Sequence, residues 1–333
     1  MKKYFYLLTL SIFLVGSCEK EDDPIIDLSA EKQLPKIEVC HYDSDTDTWK
    51  TININENALK AHLKHGDYEG QCSDLVNVCH YDKETGTRET ISVHENELAG
   101  HLDHGDYEGE CKEGYTYVPD DPFEKELIRL GYDDVLDNYV LTSNINSVTQ
   151  LLLGFYYYDE NGNWTGISSN IVEDLTGIED FKSLSHLQTA TDKLTYIDLS
   201  QNINLKILGL EHYYSVDLKE IDLSKNINLE VLSLLNVPLK SIDLSNNVKL
   251  ETLGLYQVPI ESLDLSNNVN LIQIQLDNTR ITELDLSNLF LLKFVGVWDD
   301  SYNLLSCIKV SSTVLGTATL TSSAASFSTY CGY

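Results

Sequence analysis

The chain has 333 residues, enough for two or three domains with a sizeable core. It carries 53 acidic against 23 basic residues, which gives a formal net charge of −30. So acidic a surface repels nucleic acid and anionic membrane surfaces, which excludes nucleic acid as a partner and favours cationic partners or divalent ions.

The first 17 residues predict a signal peptide that is removed from the mature protein. Lys2 and Lys3 precede an apolar run, Tyr4 to Val15, that is too short for a stable membrane span. The run ends in Leu14-Val15-Gly16-Ser17-Cys18, which resembles the lipobox of bacterial lipoproteins. This resemblance implies that Cys18 becomes the lipid-bearing first residue. The alternative is a plain secretory signal followed by a buried or disulfide-bonded cysteine.

Residues 18–35 predict an acidic, disordered tether. The segment Glu19-Lys20-Glu21-Asp22-Asp23 resembles the export tag of surface lipoproteins in Bacteroidota. The resemblance implies an outer-membrane lipoprotein that is exposed at the cell surface and is attached to the membrane only through its lipid anchor. An ordinary charged tether is the alternative, and the side of the outer membrane that the protein faces stays open.

Residues 36–74 and 75–113 are a tandem duplication, identical at 21 of 39 aligned positions. Each unit predicts a strand, around Ile52 in the first, followed by a short helix that a glycine ends. The helices are expected at about Glu56–His65 and Glu95–His104. Units this small bury little core, so we expect a covalent or metal staple in each.

The cysteines predict disulfides. If Cys18 carries lipid, six cysteines remain, and an even number in an exported protein predicts three disulfides. A cysteine opens and closes each duplicated unit, and a further pair lies in the C-terminal tail. The expected pairs are Cys40 with Cys72, Cys79 with Cys111, and Cys307 with Cys331. In the alternative, reduced Cys40 and Cys72 would serve as metal ligands.

The duplicated units also concentrate histidines and aspartates in a pattern that suits a metal ion. Two histidines lie three residues apart on a helix face, a third follows the first cysteine, and an aspartate follows the helix-ending glycine. Such ligands suit zinc or a similar divalent ion. The candidates are His41, His62, His65, Asp67, His80, His101, His104 and Asp106. The alternative is structural histidines that cap a strand or a helix C-terminus.

Calcium fits the first unit poorly. Asp43, Asp45 and Asp47 have the spacing of a calcium loop, but the sixth place has no glycine and Ile54 stands where a glutamate is needed. A polar hairpin turn is therefore predicted at this position.

After a linker at 114–120, residues 121–333 predict a leucine-rich-repeat domain with a cap at each end. The first helix of this domain begins with Asp121 as N-cap. Glu124, three residues later, completes a capping box, and Gly131 ends the helix. This helix would cover the open end of the solenoid core. The aperiodic C-terminal tail would form the second cap.

The repeat is the segment Ile-Asp-Leu-Ser or Leu-Asp-Leu-Ser, found five times at intervals of 24, 21, 21 and 21 residues. It begins at Ile197, Ile221, Ile242, Leu263 and Leu284. Leucines in register at this period predict a leucine-rich-repeat solenoid, so the fold class is mainly β, preceded by two small α+β units stapled by cysteines. Each coil is expected to hold an LxxLxL strand and a second strand at Asp-Leu-Ser. An asparagine should then bond the backbone at each bend: Asn202, Asn226, Asn247 and Asn268.

The same repeat stacks a column of like charges about 5 Å apart, which needs compensation. The column is Asp198, Asp222, Asp243, Asp264 and Asp285. Hydrogen bonds from backbone N–H groups and the following serines would compensate the charge, and a ladder of bound cations is the alternative.

The domain from Asp121 to Tyr333 resembles the leucine-rich-repeat surface lipoproteins of Bacteroidota, a group loosely described as internalin-like. The resemblance depends on DPFEKELIRLGYDD, DLTGIEDF, the repeated DLS and the ending from CIKV to CGY. It implies adhesion or protein binding by members that lack established catalytic residues. This chain departs from the pattern where Val237, Val258 and Thr279 replace an asparagine in the LxxLxLxxN half of the coil.

Aromatic residues at the solenoid rim are candidate anchors for a partner, since such residues often dominate interface energetics, and edge packing is the alternative. They are Tyr213, Tyr214, Tyr256, Trp298 and Tyr302. We therefore expect a non-catalytic, lipid-anchored surface protein that binds a protein or glycan ligand. The alternative function is metal binding by the duplicated units. An enzyme acting on polysaccharide or peptide is the third option, for which the sequence holds no GxSxG, HExxH or P-loop motif.

Overall fold

A computed structural model describes residues 35–46, 48–103, 105–153, 156–158, 164–167, 172–190, 193–212, 217–298, 305–323 and 325–332. The predictions for the signal peptide, Cys18, nearly all of the tether, His104, Tyr213, Tyr214 and Tyr302 lie outside these residues. Within them, no helix has the length and apolar character needed to cross a membrane. The chain forms two compact units that divide between Leu75 and Val76.

The first compact unit is a three-stranded antiparallel sheet with one helix. Its elements are β1 (Lys36–Asp43), β2 (Thr48–Asn55), α1 (Glu56–Lys64) and β3 (Tyr68–Glu69), followed by a 3₁₀ turn at Cys72–Asp74. Strand β1 lies between β2 and β3. Among the described apolar side chains of this unit, only Val39 and Cys40 are fully buried. The predicted disulfide between Cys40 and Cys72 is confirmed, and it supplies the staple that so small a core requires.

The second copy of the duplication repeats this arrangement at the start of the second compact unit. Its elements are β4 (Leu75–Asp82), β5 (Thr87–His94), α2 (Glu95–Leu102) and β6 (Tyr107–Glu108), with β4 in the middle of the sheet. The predicted disulfide between Cys79 and Cys111 is confirmed. This copy also contacts the solenoid, because Arg88 forms an ion pair with the buried Glu179 and lies over the Tyr81 ring.

A cap covers the first coil of the solenoid. It contains β7 (Tyr115–Tyr117), α3 (Asp121–Leu130), β8 (Tyr139–Leu141) and α4 (Thr142–Ile145), and β7 pairs with β8. The apolar face of α3 is buried in the solenoid core, as predicted.

The predicted start of α3 is wrong by one residue. The N-cap is Asp120, whose Oδ1 accepts the Phe123 N–H at 2.7 Å, so Asp121 is already inside the helix. The predicted capping box is also wrong, since Glu124 accepts the Asp137 N–H at 2.8 Å. The C-terminal prediction is confirmed: Gly131 adopts the left-handed conformation, with φ of 81°.

The remaining elements build the solenoid, a separate two-stranded antiparallel sheet and the C-terminal cap. They are β9 (Gln150–Leu153), β10 (Tyr156–Tyr158), β11 (Trp164–Ile167), β12 (His186–Ala190), β13 (Ile207–Glu211), β14 (Val231–Leu235), β15 (Thr252–Tyr256), β16 (Gln273–Asp277), β17 (Leu284–Leu286), β18 (Phe294–Trp298), β19 (Cys307–Val310), α5 (Ser312–Thr317), β20 (Thr319–Ser322) and β21 (Ser326–Ser328). Eight of these strands form one parallel sheet in the order β9-β12-β13-β14-β15-β16-β18-β20. The predicted leucine-rich-repeat solenoid is confirmed.

Each coil places its apolar side chains in the same row of the core. Register partners Leu208, Leu232, Leu253, Ile274 and Val295 are all fully buried. The asparagine prediction is also confirmed: the Asn247 side chain is buried and donates to the Leu223 and Asn226 carbonyls of the preceding coil at 3.1 and 3.0 Å. The others do the same, so that an asparagine ladder joins the coils.

The predicted second strand at Asp-Leu-Ser is wrong for four of the five repeats. Only the last forms a strand, β17, which pairs with β19 in the C-terminal cap. In every repeat the aspartate Oδ1 accepts the N–H of the serine two residues later, at 2.8–2.9 Å. Since this turn is present in all five repeats, it does not decide where a strand forms. The difference lies in pairing, because β17 has β19 beside it, whereas the other four described segments have no assigned strand partner. The cap that follows is closed by the predicted Cys307–Cys331 disulfide, which is confirmed.

Candidate functional site

The first compact unit brings two histidines and an aspartate together. His41 is on β1, His62 is in the last turn of α1, and Asp67 follows the helix. The Nδ1 atoms of His41 and His62 lie 2.8 and 2.6 Å from the same oxygen, Asp67 Oδ2. The two imidazole rings meet edge to face with their centroids 5.5 Å apart. We call this group the first histidine–aspartate cluster.

Local sequence explains how Asp67 reaches the rings. Gly66 has φ of 89°, a left-handed conformation that suits glycine, and it turns the chain back after the helix. The Asp67 N–H then donates to the His62 carbonyl at 3.2 Å. The other carboxylate oxygen, Oδ1, accepts the Tyr42 N–H at 3.1 Å. The carboxylate is therefore fixed by the backbone, with Oδ2 directed at both rings.

The second copy reproduces this geometry with His80, His101 and Asp106, the second histidine–aspartate cluster. Both Nδ1 atoms lie 2.8 Å from Asp106 Oδ2, and the Tyr81 N–H donates to Oδ1 at 2.7 Å. The ring centroids are again 5.5 Å apart. Gly105, with φ of 88°, provides the same turn as Gly66.

Both aspartates are buried, whereas the histidines are only partly covered. The side chains of Asp67 and Asp106 are 2% and 1% exposed, and those of the four histidines are between 24% and 36% exposed. Burial raises the pKa of each carboxyl, but the hydrogen bonds from the histidines and the tyrosine N–H outweigh it, so both pKa values lie below the ordinary value. The two carboxylates are therefore ionised acceptors at neutral pH.

The structure selects among the predicted ligands. In each cluster the two histidines and the aspartate each offer a ligand atom, and these atoms lie within 4.8 Å of one another. His65 is exposed at the C-terminal end of α1 and is not a member of the first cluster. The cysteines form disulfides, so their thiolates are not available as ligands. The backbone donors of Tyr42 and Tyr81 were not predicted, because nothing in a sequence reports where an N–H group points.

A second candidate site is the outer surface of the parallel sheet, here called the sheet face. Tyr256 is half-buried on it, at the end of β15, and Trp298 is 38% exposed at the end of β18. The Tyr256 ring lies against Gly254 and contacts Gln275 through its hydroxyl. Tyr256 and Trp298, the two predicted aromatic anchors that fall within the described residues, therefore both lie on this face.

The Trp298 ring follows the same arrangement. It lies against Gly296, at a point where any Cβ atom would overlap it, and its centroid is 6.2 Å from that of Phe294. The register places Gly254, Gln275 and Gly296 in one row across three neighbouring strands. The sheet face thus presents aromatic rings beside small or amide side chains.

The aspartate column is compensated by hydrogen bonds. The Ser245 N–H and hydroxyl lower the pKa of Asp243, and the corresponding serine groups lower the pKa of Asp222 and Asp264 in the same way. For Asp285, burial raises the pKa, but Lys309 at 2.7 Å and Ser287 lower it by more, so that the pKa lies below its ordinary value. The predicted compensation by backbone and serine is therefore confirmed.

Comparison with known proteins gives similarity only among solved structures. No family model matches the chain, and no curated protein matches it. The chain is 18% identical to an internalin, InlF, of Listeria monocytogenes, over 64% of this chain and 71% of that one, with a TM-score of 0.44. It is 14% identical to the functional domain of InlJ from Listeria monocytogenes, over 60% of this chain and 62% of that one, with a TM-score of 0.22. Since both TM-scores are low, the leucine-rich-repeat assignment depends on this chain's own coils.

Proposed function

We propose that this chain is a non-catalytic lipoprotein of the outer membrane that uses the sheet face to bind a protein ligand at the cell surface. The observation that supports binding most directly is the pair of aromatic rings, Tyr256 and Trp298, laid against glycines on a continuous parallel sheet. Rigid aromatic side chains with little rotamer freedom left to lose are the usual anchors of protein interfaces.

The surroundings of the rings suit a protein interface. Leu235 and Asp277 are the register partners that flank Tyr256 on the neighbouring strands, so an aromatic, an apolar and an acidic side chain share one row. A partner with apolar and basic groups would complement this row as well as the net charge of −30. The solenoid fixes these positions before the ligand arrives, which reduces the ordering cost of binding.

The lipid anchor and the location are supported by the sequence alone. The lipobox-like segment ending at Cys18 and the acidic segment after it motivate this part of the proposal. Incorporation of labelled palmitate that is abolished in Cys18→Ala would support the anchor, and protease digestion of intact cells would test outward exposure. Equal labelling of the variant and the parent chain would refute the anchor.

The binding function is tested with the full chain against a panel of purified extracellular proteins and an array of glycans. The variant Tyr256→Ala/Trp298→Ala should weaken binding of any hit at least about thirtyfold, since the loss of even one anchor costs about 2 kcal/mol. The matched control is Phe290→Ala, an aromatic that is 63% exposed in a turn outside the sheet. Unchanged binding by the double variant, or an equal loss in the control, would contradict the proposed binding surface. Hits found only on the glycan array would show that the ligand is a glycan and not a protein.

A further inference from the structure

We propose that each duplicated unit binds one divalent transition-metal ion, zinc by ligand type, through two histidine Nδ1 atoms and one aspartate Oδ2 atom. The first site is His41, His62 and Asp67, and the second is His80, His101 and Asp106. The proposed metal sites go beyond the binding function of the sheet face, since they use different residues and a different ligand.

The strongest support is that one arrangement of atoms occurs twice. The two copies are identical at only 21 of 39 positions, yet both direct two Nδ1 atoms at a single aspartate oxygen, within 2.6–2.8 Å. Both also fix the other carboxylate oxygen with a tyrosine N–H. In metal sites, such outer hydrogen bonds orient the ligating carboxylate and hold its free oxygen toward the ion.

The ligand atoms need little movement to accept an ion. Zinc–nitrogen and zinc–oxygen bonds of about 2.0–2.2 Å place the ligand atoms of a tetrahedral site roughly 3.3 Å apart, so each nitrogen has to move away from Oδ2 by about 0.5–0.7 Å. The two nitrogens, which lie within 4.8 Å of each other, have to reach the same spacing. The rings are partly exposed and can make this movement, whereas the buried carboxylate stays in place. Without an ion, each Nδ1 atom donates its proton to the aspartate Oδ2. To bind the ion through Nδ1, each neutral imidazole would give up that proton to solvent and take one up on Nε2, so that no net proton is released.

The chemistry of the ligands selects the class of metal. Two imidazole nitrogens with a single carboxylate oxygen suit zinc and neighbouring transition ions, while calcium and magnesium require mostly oxygen ligands. The thiolates that would shift the preference toward softer ions are held in disulfides. Three protein ligands leave one position of a tetrahedral ion to water or a small ligand.

The second site also has a path for the ion. His80, His101 and Asp106 line an open cleft of about 700 Å³, together with Glu97 and Glu84. These carboxylates attract a cation toward the cleft, in keeping with the acidic chain as a whole. The alternative is that each cluster has only a structural role, in which its hydrogen bonds hold the helix against the sheet. This alternative predicts no selective metal binding.

Metal binding is measured with the full chain, freed of metal by a chelator that is then removed, by calorimetric titration with zinc and by the visible absorption of bound cobalt(II). We expect two equivalents for the parent chain and one for His62→Ala or His101→Ala. The double variant should bind none. Asp67→Asn and Asp106→Asn, which preserve the shape of the side chain, should weaken their own site by at least about tenfold. His65→Ala, at the C-cap of the same helix but outside the cluster, is the matched control and should keep both equivalents.

Two results would overturn the proposal if the alanine variants keep the melting temperature of the parent chain. The first is a parent chain that binds no more zinc than His62→Ala/His101→Ala does. The second is a loss of one equivalent in His65→Ala. If the alanine variants melt at lower temperature than the parent, the asparagine variants decide the question, since unchanged zinc affinity in them would refute the assigned ligands.

Discussion

Tyr256 lies across the outer side of Gly254, the residue two positions before it on strand β15. A Cβ atom at Gly254 would come within 2.7 Å of the Tyr256 ring, which is closer than non-bonded carbon atoms tolerate. Trp298 and Gly296 are related in the same way on β18. Each glycine thus makes room for a ring to lie flat, and the two candidate anchors are held in place by their own strands.

The first prediction concerns this support. Gly296→Ala should lift the Trp298 ring off the sheet, so that its fluorescence emission moves to longer wavelength, while the free energy of unfolding changes by no more than about 1 kcal/mol. Emission spectra with Trp298→Phe as the baseline isolate the signal from Trp49 and Trp164. Ser233→Ala, in the same register row, is the control. An emission spectrum of Gly296→Ala that matches that of the parent would show that the glycine does not hold the ring.

The second prediction concerns the asparagine ladder. Asn247→Ala removes two hydrogen bonds to buried carbonyls of the preceding coil, which should cost about 2–4 kcal/mol of stability. Asn270→Ala is the matched control, because that side chain is exposed and donates to a single carbonyl, Val248, at 2.8 Å. Thermal unfolding of both variants measures the difference. Equal melting temperatures would mean that the ladder does not stabilise the solenoid.

Much of the solenoid could be predicted from sequence because its determinants repeat locally. The leucine period fixes which side chains face the core. The short asparagine side chain after each Asp-Leu-Ser can reach only nearby backbone groups, so its hydrogen bonds to the preceding coil were predictable. The same local reasoning failed at the Asp-Leu-Ser segments, because an extended segment becomes a strand only where another strand lies beside it, as β19 lies beside β17 in the last repeat. It failed at α3 because Asp120 and Asp121 are both good N-caps, and only the geometry of the entering chain decides between them.

The histidine–aspartate clusters were only partly predictable. Helical spacing predicted that His62 and His65 share one helix face, but which of them reaches Asp67 depends on how α1 ends and how it lies against β1. The ion pair between Arg88 and Glu179 joins residues 91 positions apart, and no periodic pattern marks either residue. Contacts of this kind depend on tertiary packing, so the sequence alone does not report them.

The third prediction concerns backbone strain at Gln257. This residue has a left-handed backbone conformation, with φ of 56°. The residues at the same place in the neighbouring coils, Asn236 and Asn278, have φ of 61° and 51°. Asparagine tolerates this conformation better than glutamine does. Gln257→Asn should therefore raise stability by about 0.5–1 kcal/mol. The reverse change, Asn236→Gln, should lower it by a similar amount. Denaturant titration of both variants checks the pair, and a stabilising Asn236→Gln would contradict the strain argument.

The fourth prediction concerns the buried carboxylate of Glu179. Burial raises its pKa and the Arg88 guanidinium opposes that effect. Arg88→Ala leaves the charge unpaired, which should cost about 3–5 kcal/mol at neutral pH. Since the pKa of Glu179 rises further in this variant, its carboxyl becomes protonated as the pH falls. An acid whose pKa is higher in the folded than in the unfolded state lowers the free energy of unfolding at pH values where it is ionised. This loss disappears as the pH falls and the carboxyl is protonated, so the cost of Arg88→Ala should shrink toward acid pH.

The paired variant Arg88→Met/Glu179→Gln distinguishes the lost charge pairing from lost packing. It removes both charges, while the new amide oxygen can still accept the Gly177 N–H that Glu179 Oε2 accepts at 2.8 Å. Its stability should lie well above that of Arg88→Ala at neutral pH and should depend little on pH in the range where Arg88→Ala recovers. Thermal unfolding from pH 7 down to about 4.5, just above the ordinary range of glutamate, measures both. A constant deficit of Arg88→Ala across this range would show that the loss comes from packing over Tyr81 and not from the unpaired carboxylate.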